Sequence, residues 1–298
     1  MKENTSTSFH KINYDKPLSN LNKIIWFILN YINNFFKNYK VDKDLKQINF
    51  RPTKSNFNKL SFELSPLRFL TDLFVLEMPW NHFADSLGKI KLLEVGSGTG
   101  IYGEFINSIL DEKLEIYTGV DPKSHNFDKA NDKFNFHLDI SDNIEKYIED
   151  HNVILTITAL EHFENDLMFF KKIQSHIKKT KKEILQIHIV PSYACLKTYL
   201  GHGLRQYTPR TISKISNLFE KDKKYLISLG NDEFNKLTFE YITIPRIFKK
   251  KDKRITENTI YKNSLLKILN NNQNYDNPTG YAFIINNINN LNLDEKIN

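Results

Sequence analysis

Residues 90–103 read IKLLEVGSGTGIYG, an aliphatic run that gives way at once to a glycine cluster. The chain has 10 glycines, and four of them, Gly96, Gly98, Gly100 and Gly103, fall in this one stretch, so a local backbone demand operates there. A strand that ends in a side-chain-free turn and passes into a helix meets that demand, because the turn lets a ligand approach the backbone at the helix N-terminus. The spacing is not that of the dinucleotide fingerprint. That pattern needs a small residue where this chain has Ile101, which speaks against NAD.

Outward from this stretch, β-rich runs recur at 89–95, 114–120, 134–138, 152–158 and 183–190, separated by helical patterns at 101–110, 142–149 and 165–178. Several of the runs are continuously apolar, as strands covered on both faces must be. The expected fold is therefore a doubly wound, Rossmann-like α/β sheet. Its domain spans 65–286 and opens at Ser65-Pro66, an N-cap followed by proline at the first helical position of a helix to about Leu76. Beyond it, Thr208-Pro209 opens a further helix, and strands are expected near 225–228 and 280–285. Residues 231–277 read as an insertion whose basic run, KKKDKR at 249–254, is a solvated loop, and 287–298 read as a disordered tail. Residues 1–64 read as an N-terminal helical extension. Its apolar positions Ile24, Phe27, Ile28, Tyr31, Ile32, Phe35 and Phe36 have helical spacing, expected to cap the main domain, with peripheral membrane contact as the alternative.

A chain of 298 residues with 40% hydrophobic and 13% aromatic residues folds around a sizeable core. The single cysteine, Cys195, excludes an intramolecular disulfide and fits a reducing, cytoplasmic compartment. The net charge of +7 favours anionic partners only mildly. Met1 to Asn20 lack a signal-peptide pattern, and the longest apolar run is broken by Asn30, Asn33 and Asn34, so no transmembrane segment is expected.

With Glu94 two residues before Gly96, the stretch E-V-G-S-G-T-G resembles motif I of the class I S-adenosylmethionine (SAM)-dependent methyltransferases. Asp121 and Asp139, after the second and third strands, stand where that family carries acidic residues. The resemblance covers about 65–286 and implies a seven-stranded fold with SAM as cofactor. It places Glu94, Gly96, Ser97, Gly98 and Gly100 in the cofactor loop, Asp121 on the ribose hydroxyls, Asp139 and Ile140 by the adenine, and Thr158 beside the cofactor. A carboxylate suits the ribose because it accepts two hydroxyl hydrogen bonds at once. The family's aspartate at the start of the fourth strand is replaced by Asn152.

The segment Thr158-Ala-Leu-Glu-His162 is similar to the LEH segment of small-molecule and glycan methyltransferases, which puts Glu161 and His162 at the mouth of the site. The same likeness makes His202, Arg205 and Tyr207 candidates for base, anion clamp and hydrogen-bond donor, with His162 the second candidate base. His188 reads as a buried histidine and Cys195 as no nucleophile. No compact His/carboxylate set is visible along the chain, so no metal is expected. The signatures of nucleic-acid base methylation, an Asn/Asp-Pro-Pro-aromatic run or a Pro-Cys pair, are absent, which speaks against nucleic acid as partner. The implied acceptor is a sugar, phosphorylated or nucleotide-linked, of a surface polysaccharide. The alternatives are a small-molecule or lipid-precursor O- or N-methyltransferase and a catalytically silent SAM-binding module. The oligomeric state stays open.

Overall fold

The computed structural model describes residues 12–123, 129–271 and 275–294. Eight strands form one sheet: β1 (Leu45–Asn49), β2 (Ile90–Val95), β3 (Leu114–Asp121), β4 (Phe134–Leu138), β5 (Val153–Ile157), β6 (Leu185–Pro191), β7 (Lys223–Leu229) and β8 (Gly280–Asn286). Their order is β1-β7-β8-β6-β5-β2-β3-β4, parallel except for β8, which runs antiparallel to both its neighbours. The chain moves outward from β2 through β3 to β4 and then returns to β5 on the other side of β2. That reversal opens a crevice at the carboxyl ends of β2 and β5, where open α/β sheets bind ligands.

The continuous apolar runs are explained by two cores, one on each face. Ile90 and Leu92 of β2 join one cluster with the helices Pro66–Glu77 and Ile101–Leu110. Leu93 and Val95, pointing the other way, join a second with the helices Asp166–Thr180 and Pro209–Ser216. Ser65 caps the first helix by accepting the Arg68 N–H, as its sequence position suggests.

Four expectations need correction. The sheet has eight strands, not seven, because β1 in the supposedly helical extension pairs with β7. The basic run 249–254 is only partly a solvated loop, in an insertion whose helices bury Phe234, Tyr241, Tyr261 and Leu265 in the first core. Within that run only Lys249, Lys250 and Lys251 are exposed, while Arg254 grips Asp252 and the Glu63 carbonyl. The tail is packed as far as it is described, with Ile288, Leu291 and Leu293 buried and Lys46 paired to Asp294.

The fourth correction concerns the N-terminal helix Asn20–Phe35, which lies inside out. Trp26, Asn30 and Asn33 face the protein, where Trp26 donates to the Leu204 carbonyl and Asn34 to the Tyr193 carbonyl. Ile24, Phe27, Ile28, Tyr31, Ile32, Phe35 and Phe36 face solvent. Its apolar stripe is therefore not buried against the main domain among the described residues. No helix among the described residues is long and apolar enough to cross a membrane.

Candidate active site

The glycine loop leaves β2 with Gly96, Gly98 and Gly100 all in the left-handed region. Each is required for a different reason. A Cβ on Gly96 would stand 2.4 Å from that of Ala159, and one on Gly100 would stand 2.6 Å from the Phe136 ring. At Gly98 a Cβ would meet nothing within 4 Å, so only its backbone conformation and the open space beside it call for glycine. The Gly98 N–H donates to Asp121 Oδ2 at 2.9 Å, and Asp121 Oδ1 accepts from the Lys123 N–H, so Asp121 braces the loop and the turn after β3 together.

Glu94 and Ser97 sit beneath the loop. Glu94 accepts from the Tyr117 hydroxyl at 2.6 Å, and burial pushes its carboxyl up to about 8. Ser97 is buried against Gly119, where a Cβ would come within 2.8 Å of its Oγ. Above them a cavity of about 740 Å³ opens, lined by Gly96, Asp121, Asp139, Ile140, Thr158 and His162 among others. Thr158 is itself left-handed and donates its N–H to the Ile189 carbonyl. Carboxylates dominate the wall, with Asp15, Asp121, Asp139, Asp142 and Glu164 against Lys16 and Lys123.

Asp139 is not available in the way the resemblance implies. Its Oδ1 accepts from Ile140 and Asn143 and its Oδ2 from Lys146 and Tyr147, which takes up its four acceptor positions. Desolvation raises its pKa, but these donors outweigh it and hold the carboxyl well below the usual range. Asp139 thus anchors the turn that presents the exposed Ile140 to the cavity.

Arg205 and Tyr207 also depart from expectation. Both are buried, Arg205 donating to the Phe163 and Glu164 carbonyls and pairing with Asp166 at 3.0 Å. Tyr207 donates to the Leu160 carbonyl and to Asp166 at 2.9 Å. They clamp the loop after β6 onto the Leu160–His162 turn and do not face an acceptor. His188 lies among Phe169, Phe170 and Phe283, with burial pushing its pKa down to about 3. Burial likewise pushes the Cys195 thiol up to about 12.

His162 and His202 meet at the rim with ring centroids 4.7 Å apart. Gly203 lets the second loop approach, since a Cβ there would be 2.7 Å from the Glu161 carbonyl, which accepts the Leu204 N–H. Sequence reading missed one member of this cluster, Asp15, and placed another, Glu161, at the mouth without giving it a role. Asp15, from the N-terminal segment, receives His162 Nδ1 at 2.6 Å and the Gly203 N–H at 3.0 Å. Glu161, 1% exposed, has no hydrogen-bond partner for either carboxylate oxygen among the described residues. Nothing local signals Asp15, which is 147 residues from His162.

No family model matches the chain, and no curated protein matches it. Among solved structures it is similar to the methyltransferase domain of bacterial CtHen1, at 12% identity and TM-score 0.46, covering 74% of this chain and 99% of that one. It is also similar to the plantazolicin methyltransferase BamL in complex with a triazolic desmethylPZN analog and SAH, at 12% and 0.46, covering 89% and 97%. A third similar structure is a SAM-dependent methyltransferase from Archaeoglobus fulgidus, at 18% and 0.42, covering 78% and 97%. At these scores, what the chain does has to be read from its own residues.

Proposed function

We propose that the chain is a SAM-dependent methyltransferase. The observation that carries this reading is the acidic cavity at the carboxyl ends of β2 and β5, bordered at Gly96 by a loop of three left-handed glycines that Asp121 braces. A sulfonium with an amino-acid tail carries net positive charge and suits a wall of five carboxylates and two lysines, whereas a dinucleotide pyrophosphate would be repelled by it. SAM, when bound, supplies the activated methyl group. The protein's part is to hold the acceptor in line and take its proton. His162 lines the cavity and His202 packs against the His162 ring behind it, so His162 comes before His202 as the candidate base. Calorimetric titration of the full chain with SAM, and with NAD as control, tests the reading. Saturable binding of SAM alone, weakened about tenfold or more by Asp121→Ala, is the expected result, and no SAM binding sinks it.

For the acceptor, the LEH likeness supports a sugar hydroxyl, but the argument for a phosphorylated one loses Arg205, whose charge is spent on Asp166. The outward apolar face of the N-terminal helix favours the lipid-precursor reading, in which the acceptor is carried at a membrane surface.

A further inference from the structure

We propose that Glu161, His162 and His202 form a binding site for one divalent transition-metal cation. Their ligand atoms lie within 4.8 Å of one another, with Glu161 Oε1 3.9 Å from His162 Nε2 and 3.8 Å from His202 Nε2. Those separations are too long for hydrogen bonds. They exceed by only a few tenths of an ångström the roughly 3.4 Å between ligands around a tetrahedral ion with bonds of about 2.1 Å, while the two imidazoles, within 4.8 Å of each other, must draw together by up to about 1.4 Å to close the site.

The surroundings prepare these atoms as ligands. Asp15 faces both imidazoles from the far side, its Oδ2 at 2.6 Å from His162 Nδ1 and its Oδ1 at 3.6 Å from His202 Nδ1. A carboxylate behind Nδ1 selects the tautomer that carries its proton there and turns the Nε2 lone pair forward, the arrangement by which ligating histidines are oriented. Asp15 does this for His162; its Oδ1 accepts the Gly203 N–H and stands beyond hydrogen-bond distance from His202, where it adds only its charge, and both Nε2 atoms lie within 4 Å of Glu161 Oε1. The buried Glu161 carboxylate, with no hydrogen-bond donor of its own, carries a desolvation cost that a cation between the three groups offsets. The site is built by design of the loops: Glu161 and His162 are adjacent in the turn after β5, and the backbone bond from Leu204 to the Glu161 carbonyl brings His202 in from the loop after β6.

Two imidazoles and one carboxylate suit zinc, cobalt, manganese or ferrous iron better than magnesium or calcium. His162 lines the cavity, so the cation is reachable from it. The site stands on this geometry alone. Its use rests on the methyltransferase reading: the ion would lower the pKa of a coordinated acceptor hydroxyl, whose proton would pass to solvent water, the ligating His162 and His202 then serving as ligands and not as bases.

The test is titration of the chelator-stripped full chain with Co²⁺, followed by visible absorption, and with Zn²⁺ by calorimetry. One ion per chain is expected, weakened about tenfold or more in Glu161→Gln and in His202→Ala at unchanged far-UV circular dichroism, and retained in His137→Ala, a control for exposed histidines. Absence of stoichiometric binding in the folded chain, or equal binding in Glu161→Gln and His202→Ala, overturns the proposal. SAM titration of the same metal-free sample separates the two readings: metal binding without SAM binding removes the methyltransferase and keeps the cation, and the reverse does the opposite.

Discussion

At the scale of single residues, the three loop glycines are separable. Gly96→Ala combines a left-handed backbone with a collision against Ala159, while Gly98→Ala meets only the backbone penalty of about 1–2 kcal/mol. Thermal or denaturant unfolding should therefore show Gly96→Ala as clearly the more destabilising. If the open space at Gly98 is where SAM approaches, Gly98→Ala should lose SAM affinity beyond its modest stability loss, and unchanged affinity would remove that glycine from the site. Glu94 offers a pH test. Burial raises its folded-state pKa to about 8 from an ordinary value near 4.5, so between those values the folded chain holds a proton that the unfolded chain has released. Stability contributed through Glu94 consequently falls as pH rises across that window. Glu94→Gln keeps an acceptor for Tyr117 and should show a smaller drop in melting temperature between about pH 5.5 and 8 than the parent, and equal drops would refute the assignment.

At the scale of elements, Asp166 ties together the Leu160–His162 turn, the helix Asp166–Thr180 and the loop after β6 through Arg205 and Tyr207. Asp166→Ala strands a buried guanidinium, so a loss of about 3–5 kcal/mol in chemical denaturation is expected, and a loss under 1 kcal/mol would show that the clamp is not structural. This clamp marks where sequence reading stops. The strands β2 to β6 and the glycine turn were legible because their signals are local: apolar runs with a period that burial on both faces explains, and a backbone conformation that only glycine takes easily. Arg205 and Tyr207 have the residue types of a binding site, and nothing in their own stretch reveals that Asp166, some 40 residues earlier in the chain, has claimed them. Glu161 and His162 were visible as neighbours, but His202 joins them only through a loop-to-loop contact, and Asp15 only through the fold as a whole. β1 escaped notice because LKQIN carries only two apolar residues, Leu45 and Ile48, which fall on opposite faces and so show neither alternation nor a continuous apolar run.

At the scale of the whole molecule, the N-terminal helix was read correctly in period and wrongly in direction. Periodicity tells that one face is apolar. It cannot tell which face the protein keeps, and here Asn34, donating to the Tyr193 carbonyl, and Asn30, accepting the Gln206 N–H, hold the inner side. Exposed Ile24, Phe27, Ile28 and Phe35, with Lys23, Lys40 and Lys43 nearby, should make the full chain sediment with vesicles containing anionic lipid. Replacing Phe27 and Phe35 by serine should abolish that sedimentation without changing the fold, and undiminished binding would rule the face out. The same segment has a history in time as well as a place in space. Asp15 and Trp26 meet Gly203 and Leu204 across 188 and 178 residues, so during synthesis the segment that finishes the candidate site is made before the loops it docks on. At about 5–20 residues per second it waits roughly 10–40 s, its greasy side already displayed to any membrane near the ribosome, before the loops it straps down exist.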